Sequence, residues 1–269
     1  MTQPVSRRNA LGMFSTIGLG ALLASCTSGN DGTTASAPTT EATVETAEGE
    51  TATVSPQASG TLSPESFAAA GACTLTRELT EGPYYFDVDS IRSDIREDRP
   101  GTTLRLGILV QDSDTCEPIP DAVVDVWHCD AEGIYSGFES ASEGSDGPSG
   151  GHGGGGSSDT TDDETYLRGA QVTNSDGIVE FVTIYPGWYR GRTVHIHCKV
   201  HLDKTTLLTT QLFFDDTLTA GVYAVEPYSA DGRDVDNASD SIFEESLVLT
   251  VAAADDGYLG LITFGVDPV

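Results

Sequence analysis

The feature that most limits what this chain can become is the shortness of its apolar runs. From Thr102 onward, β-branched and aromatic residues gather in brief alternating stretches separated by Gly, Asn, Asp, Ser and Pro. Leu104, Leu106, Ile108 and Val110 show the two-residue period plainly, and that period belongs to a strand with one buried face. Strands are expected at Thr102–Val110, Ala122–Cys129, Ala170–Thr173, Ile178–Ile184, through His195, and at Leu207–Phe214, Ser246–Ala252 and Tyr258–Phe264. No segment supports a long helix, and no internal repeat is present. Short strands at regular spacing with turn residues between them predict an all-β, two-sheet sandwich with long loops. Asn174-Ser175-Asp176-Gly177 predicts a hairpin turn joining its two flanking strands, and 215–240 reads as loop with one turn of helix.

The central stretch is Thr183–Val200, Thr-Ile-Tyr-Pro-Gly-Trp-Tyr-Arg-Gly-Arg-Thr-Val-His-Ile-His-Cys-Lys-Val. Side chains alternate faces along a strand, so His195 and His197 project together. Two imidazoles on one face of a stiff strand make half of a metal site. Tyr189 and Arg192 lie within six residues of His195, and the whole chain has only 5 histidines. Taken alone, a His-x-His pair is more simply two polar strand residues. A phenol and a guanidinium beside it shift the reading toward chemistry.

Charge and leader bound the partners. Of 269 residues 42 are acidic and 13 basic, a net −29 that argues against nucleic acid and anionic surfaces as ligands. Arg7-Arg8 precede an uncharged apolar stretch from Leu11 to Ala24, the pattern of an export signal that admits the twin-arginine route or the general one. Leu23-Ala24-Ser25-Cys26 has the form of a lipobox, so residues 1–26 are expected to direct export and to leave Cys26 lipidated, anchored to the cell membrane on its outer side. Residues 27–72 are Thr, Ser, Ala, Glu, Gly and Pro with almost no large apolar side chain, a low-complexity tether expected to be disordered. The folded domain is expected over 73–269, interrupted by a Gly/Ser/Asp-rich insertion at 137–164 whose His152 is expected to be a solvated loop residue rather than a metal ligand.

Which ion would imidazoles and phenols hold? Zinc sites favour His, Cys and carboxylate. Phenolate is a hard anionic oxygen donor and suits a hard, high-valent ion such as Fe(III). Several segments together resemble the intradiol ring-cleavage dioxygenases. They are Thr80-Glu-Gly-Pro-Tyr-Tyr85, Asp125-Val-Trp-His-Cys-Asp-Ala-Glu-Gly-Ile-Tyr135, Tyr166-Leu-Arg-Gly-Ala-Gln171, Thr183-Ile-Tyr-Pro-Gly-Trp-Tyr189, Arg192-Thr-Val-His-Ile-His197 and Thr210-Gln-Leu-Phe-Phe214.

That resemblance implies one non-haem Fe(III) per domain, held by Tyr135, Tyr189, His195 and His197. Tyr189 would be the ligand that leaves, and it would take up a substrate proton. Arg192 and Gln211 would stabilise the ring carbon under attack. Tyr84 and Pro83 would border the substrate. The implied reaction opens a catechol-type ring between its two hydroxylated carbons with O2, giving a muconate-type diacid. His128 and His201 match no functional position and are expected to be structural; Trp127 and Trp188 are expected to be core or rim aromatics. Cytosolic members of the family carry an N-terminal helical dimerisation region where this chain has its tether, so no oligomeric state is assigned. The alternative is a non-catalytic β-sandwich lipoprotein that binds a surface polymer or a partner protein. A zinc or copper site built on the two histidines is a third possibility.

Four cysteines remain after Cys26: Cys73, Cys116, Cys129 and Cys198. In an exported protein an even number predicts two disulfides, with three connectivities open. Cys116 sits in the turn before the strand that ends at Cys129, which keeps those two apart, while Cys129 and Cys198 both flank site segments. The favoured pairing is therefore Cys73–Cys116 with Cys129–Cys198.

Overall fold

The computed structural model describes residues 42–45, 51–54, 62–71, 73–86, 90–142 and 160–268. Cys26, the apolar stretch before it and His152 lie outside these residues. The described strands are β1 (Ala42–Glu45), β2 (Thr51–Val54), β3 (Thr103–Asp112), β4 (Val123–Trp127), β5 (Arg168–Val172), β6 (Ile178–Ile184), β7 (His195–Leu202), β8 (Thr205–Phe213), β9 (Thr250–Ala254) and β10 (Gly257–Val266). β1 and β2 pair only with each other. The rest form two four-stranded sheets, ordered β6-β3-β10-β9 and β5-β4-β7-β8. All strand pairings within them are antiparallel except β3 with β10, which is parallel.

The expected sandwich is present. Leu104, Leu106, Ile108 and Val110 of β3 join one buried cluster with Val124 and Val126 of β4 and Ile196, Cys198 and Val200 of β7. Each set occupies alternate positions, so each strand gives one face to the layer between the sheets. Among the described residues α-helix is confined to short pieces: α1 (Glu139–Ser142) and α2 (Asp216–Val222). Asp215 caps α2, its carboxylate accepting from the Thr217 and Leu218 N–H groups.

The structure corrects several local expectations. The strands on either side of Asn174–Gly177 do not form a hairpin: β5 pairs with β4 and β6 pairs with β3, so the turn carries the chain from one sheet to the other. Both strands are buried along nearly their whole length, so each finds its neighbour inside a sheet. The strand expected at Ser246–Ala252 starts later, at Thr250, because Glu245–Leu247 forms a 3-10 turn. The folded body also begins before Cys73. Pro64–Phe67 form a 3-10 turn, and Phe67 is buried against Leu109, Ile178 and Leu261 on the outer face of the β6-β3-β10-β9 sheet. The ends of the 137–164 insertion are tied together, with the Asp162 carboxylate accepting from the Gly137 and Glu139 N–H groups at 2.8 and 3.0 Å.

Only one of the two favoured disulfides forms. Cys73 and Cys116 are bonded, with their Cα atoms 5.5 Å apart. Cys129 and Cys198 are free and buried. Strand parity separates them: Cys198 lies opposite Val126 and faces the inter-sheet core, whereas Cys129 joins Trp127 in a cluster on the other face. The bond closes a sequence separation of 43 residues, and chain-entropy reasoning assigns such a loop about 4 kcal/mol. Cys73→Ser should lower the free energy of unfolding by up to about that amount, measured by urea denaturation without reductant; reductant should bring wild type to the same value.

His128 is structural, as expected. It is fully buried. Its Nδ1 lies 2.7 Å from the Cys129 carbonyl oxygen and its Nε2 2.7 Å from Thr183 Oγ1. Burial pushes its pKa down from 6.5 to about 4. The unfolded chain therefore binds this proton at higher pH than the folded one. The contribution is fully present above the unfolded pKa and is lost as pH falls from 6.5 toward about 4. The full difference is worth roughly 3 kcal/mol. Chemical denaturation across that range should show His128→Asn with a shallower acid slope than wild type.

Candidate active site

One row across the β5-β4-β7-β8 sheet organises the site. Arg168, Trp127, His197 and Gln211 stand opposite one another on the four strands, and directly opposed residues share a face. His195, two residues before His197, shares it too. This face points away from the inter-sheet core, toward which Ile196 and Cys198 are turned. Trp127 stacks on His197 with centroids 4.9 Å apart and an interplanar angle of 7°.

Two interlocked loops deliver the phenols. After β4 the Asp130 carboxylate accepts from the N–H groups of Glu132 (2.9 Å) and Ile134 (3.0 Å), forming a tight turn. Gly133 has φ +87°, and a Cβ there would sit 2.2 Å from the Trp188 carbonyl oxygen, so only glycine allows the two loops to meet. The Gly187 N–H donates to the Asp130 carbonyl at 2.9 Å. The Tyr135 and Tyr189 rings come within 5.8 Å of each other, and Tyr135 lies 6.2 Å from His197.

The imidazoles are oriented. His195 Nδ1 is 2.7 Å from the Thr193 carbonyl, which can only accept, so Nδ1 carries the proton and Nε2 offers its lone pair to the site. Around that Nε2 stand Tyr189 Oη at 3.1 Å, His197 Nε2 at 3.2 Å and Arg192 Nη1 at 3.4 Å. Arg192 is held on both sides: Nε donates to Asp240 at 2.9 Å and Nη2 to Gln211 Oε1 at 2.5 Å. Gln211 Nε2 in turn donates to the Thr80 carbonyl at 2.7 Å. Tyr84 is buried, with its ring 4.7 Å from that of Tyr135, while Pro83 is solvent-exposed.

The electrostatics fit a cationic guest. Burial and then the Arg192 charge hold His195 and His197 far below the usual imidazole range, so both are neutral donors. Burial raises both phenols, with Arg192 partly offsetting it at Tyr189. The Tyr135 hydroxyl is buried without a hydrogen-bond partner, and the nearby Tyr189 raises it further after burial. An orphaned buried hydroxyl costs about 1–3 kcal/mol, and a cation would satisfy it. Arg168 points the same way. Its guanidinium is buried, donates to Ser136 Oγ and the Ser136 carbonyl, leaves Nη1 unpaired, and stacks over Phe86 at 4.3 Å and 5.9 Å from the Tyr135 ring. It makes no carboxylate ion pair among the described residues. A buried cation of this kind favours an anionic donor set beside it. Among the described residues no group of three or more His, Cys, Asp and Glu side chains converges, so the donors here are imidazole and phenol, unlike the usual set for zinc.

Comparison with known proteins agrees with the geometry. A family model described as a dioxygenase matches residues 80–226. The solved structure of an intradiol ring-cleavage dioxygenase from Tetranychus urticae superimposes with a TM-score of 0.65 at 33% identity, covering 73% of this chain and 96% of that one. The chain belongs to the intradiol ring-cleavage dioxygenase family. The dioxygenase domain of a carbohydrate-binding fusion from Streptomyces sp. SirexAA-E matches at 29% identity with a TM-score of 0.51, covering 72% of this chain and 99% of that domain. A chlorocatechol 1,2-dioxygenase of Rhodococcus opacus is 29% identical over 180 residues, 60% of this chain and 56% of that protein. A catechol 1,2-dioxygenase of Acinetobacter lwoffii is 28% identical over 51% of this chain and 45% of its own length, so the chain spans about half of these relatives.

In this member of the family, Tyr84, Tyr135, Tyr189, Arg192, His195, His197 and Gln211 come together as expected from sequence, while Pro83 is exposed and Cys26 lies outside the described residues. It also adds residues that sequence reading left without a role. Asp240 has 1% of its side chain exposed. Besides Arg192 it accepts from the N–H groups of Thr193 (2.9 Å) and Ile242 (2.8 Å). It thereby positions both the guanidinium and the residue whose carbonyl orients His195. No periodicity marks it, since it sits in a loop 48 positions from Arg192. Arg168 lies within one of the family-like segments, Tyr166–Gln171, but its unpaired burial is visible only in three dimensions.

Proposed function

We propose that this protein is a non-haem Fe(III) intradiol dioxygenase that opens catechol-type rings with O2 to muconate-type diacids. The observation that carries the reading is the meeting of two neutral imidazoles, the buried Tyr135 phenol and the half-buried Tyr189 phenol beside a guanidinium fixed by Asp240 and Gln211. Tyr135, Tyr189, His195 and His197 would hold the ion. When bound, it supplies a Lewis acid for two adjacent hydroxyls and a redox centre through which ring and O2 exchange electrons.

The protein's own groups supply the rest. Tyr189 Oη, which would be a phenolate where it holds the ion, is placed to accept a proton from a substrate hydroxyl, since its ring is less enclosed than that of Tyr135. Arg192 presents permanent positive charge where negative charge develops on the ring. Gln211 locks the angle of that guanidinium. Tyr84 and the loop around it close one wall and exclude water.

The test is to load the full-length protein with iron and add a panel of catechols in air. A red to burgundy protein whose colour shifts on catechol addition, followed by O2 uptake and a ring-opened diacid, is the expected outcome. A colourless iron-loaded protein that leaves every catechol intact would overturn the reading.

The same proposal places the enzyme outside the cytoplasmic membrane, supported by Leu23-Ala24-Ser25-Cys26 ahead of the polar tether. Acyl chains contribute about 0.8 kcal/mol per buried methylene, so two or more hold a protein firmly at a bilayer. Cys26→Ser should abolish fractionation with membranes and the mass of the added lipid; unchanged fractionation and mass would defeat the anchor.

A further inference from the structure

Two positions beyond His197, Lys199 shares the face of the imidazoles and has only 12% of its side chain exposed. Its ammonium pairs with the Glu81 carboxylate and lies 3.6 Å from the centre of the Tyr85 ring. Both partners belong to the loop 80–85, which runs over the site. Gly82 comes so close that a Cβ there would stand 3.0 Å from His197 Cε1. Tyr84 packs on Tyr135, and Tyr85 packs 4.8 Å from Trp127.

The loop's attachment is made by side chains. Leu79 N–H still donates to the Thr209 carbonyl at 2.9 Å, but among the described residues no backbone hydrogen bond joins 80–86 to a strand. Gln211 holds the loop at its start through the Thr80 carbonyl. Beyond that point Lys199 is one of the charged contacts to the sheet, beside the Asp125 carboxylate, which accepts from the Tyr85 hydroxyl at 3.5 Å, and Arg168, which stacks over Phe86. Lysine is well matched to this position, because its stem lies along the apolar surface while its head serves an anion and a ring face together. Partial burial shields the contact from salt.

We infer that Lys199 is a positioning residue, a latch through Glu81 and Tyr85 that holds the 80–85 loop over the metal-ligand face and sets how closely Tyr84 meets the substrate ring. The substrate part of this inference rests on the proposed dioxygenase activity; the loop part does not.

The test uses the iron-loaded full-length protein with the variants Lys199→Met, Glu81→Gln, their double and Lys199→Arg. Two measurements are made: hydrogen exchange of the peptide covering 80–85, and KM and kcat for catechol. The expected result is faster exchange in that peptide and a KM raised roughly three- to tenfold in each single variant, with kcat within about twofold. The double should be no worse than the worse single, and Lys199→Arg should restore most of the loss. Additive effects of the two single changes, exchange like wild type, or a fall in kcat with KM unchanged would each overturn the latch. Glu81→Gln lies outside the sheet and keeps the test decisive should Lys199→Met fold poorly. If wild type turns over no catechol, the activity reading fails by itself, and coupled or uncoupled exchange still decides for or against the latch.

Discussion

On the proposed Fe(III) reading, replacing Tyr135 by phenylalanine should remove the metal while leaving the metal-free fold at least as stable as wild type. The two effects have one origin. The Tyr135 ring is fully buried between Tyr84, His197 and Tyr189, and phenylalanine fills the same space. Its hydroxyl has no partner inside the protein, so deleting it relieves a desolvation cost of about 1–3 kcal/mol. With the ion present the balance reverses, because a direct anionic donor is gone. Loss of a supporting partner alone costs a metal site about 10- to 100-fold in affinity, and a ligand should cost more. Metal analysis and the visible spectrum should show iron and colour reduced at least about a hundredfold in affinity terms, and turnover should fall with them. Melting of the metal-free variant at or above wild type would accompany this. A variant that keeps full iron and colour would remove Tyr135 from the ligand set.

Arg192→Ala should have the second large effect, on kcat rather than on iron. Arg192 meets His195 only at 3.4 Å through Nη1 and directs its other nitrogens to Asp240 and Gln211. Its charge matters most when the ring becomes electron-rich, and loss of such a preorganised group costs about 10²–10³ in kcat. Stability should fall as well. Asp240 would be left as a buried carboxylate without its cation, at about 3–5 kcal/mol. The double variant Arg192→Ala with Asp240→Asn separates the two roles. It should recover part of the stability, because the buried charge is gone, although the single amide oxygen can accept from only one of the Thr193 and Ile242 N–H groups, which donate to different oxygens of the Asp240 carboxylate, and it should recover none of the turnover. Thermal denaturation and steady-state kinetics on the same preparations read both quantities. A kcat restored together with stability would show Arg192 to be structural.

Local pattern and long-range pairing part company in this protein. The sandwich, the shared face of His195 and His197, and the presence of a short helix within 215–240 were all legible, because strand period and turn chemistry are set by neighbours in the chain. The same parity, applied across strands, forbids the Cys129–Cys198 bond, but only once β4 and β7 are known to be adjacent and in register. The turn at Asn174–Gly177 has the composition of a hairpin, yet it joins two sheets, since the partners of β5 and β6 come from elsewhere in the chain. Phe67 lies in a segment whose composition reads as tether and is buried nonetheless, because the outer face of a sheet was there to receive it.

The sequence by itself determined the residue types of the proposed donor set, the spacing of the two imidazoles along β7 and the two-residue period that turns them to one side. Only the tertiary structure decided that Tyr135 and Tyr189 reach those imidazoles, that Asp240 holds Arg192, and that Arg168 lies buried near Tyr135 without a carboxylate ion pair among the described residues. The physical reason is that a strand's facing is a property of consecutive residues. Which charges meet in a buried site depends on sheet order, register and loop interlock, where the cost of desolvation selects the partners.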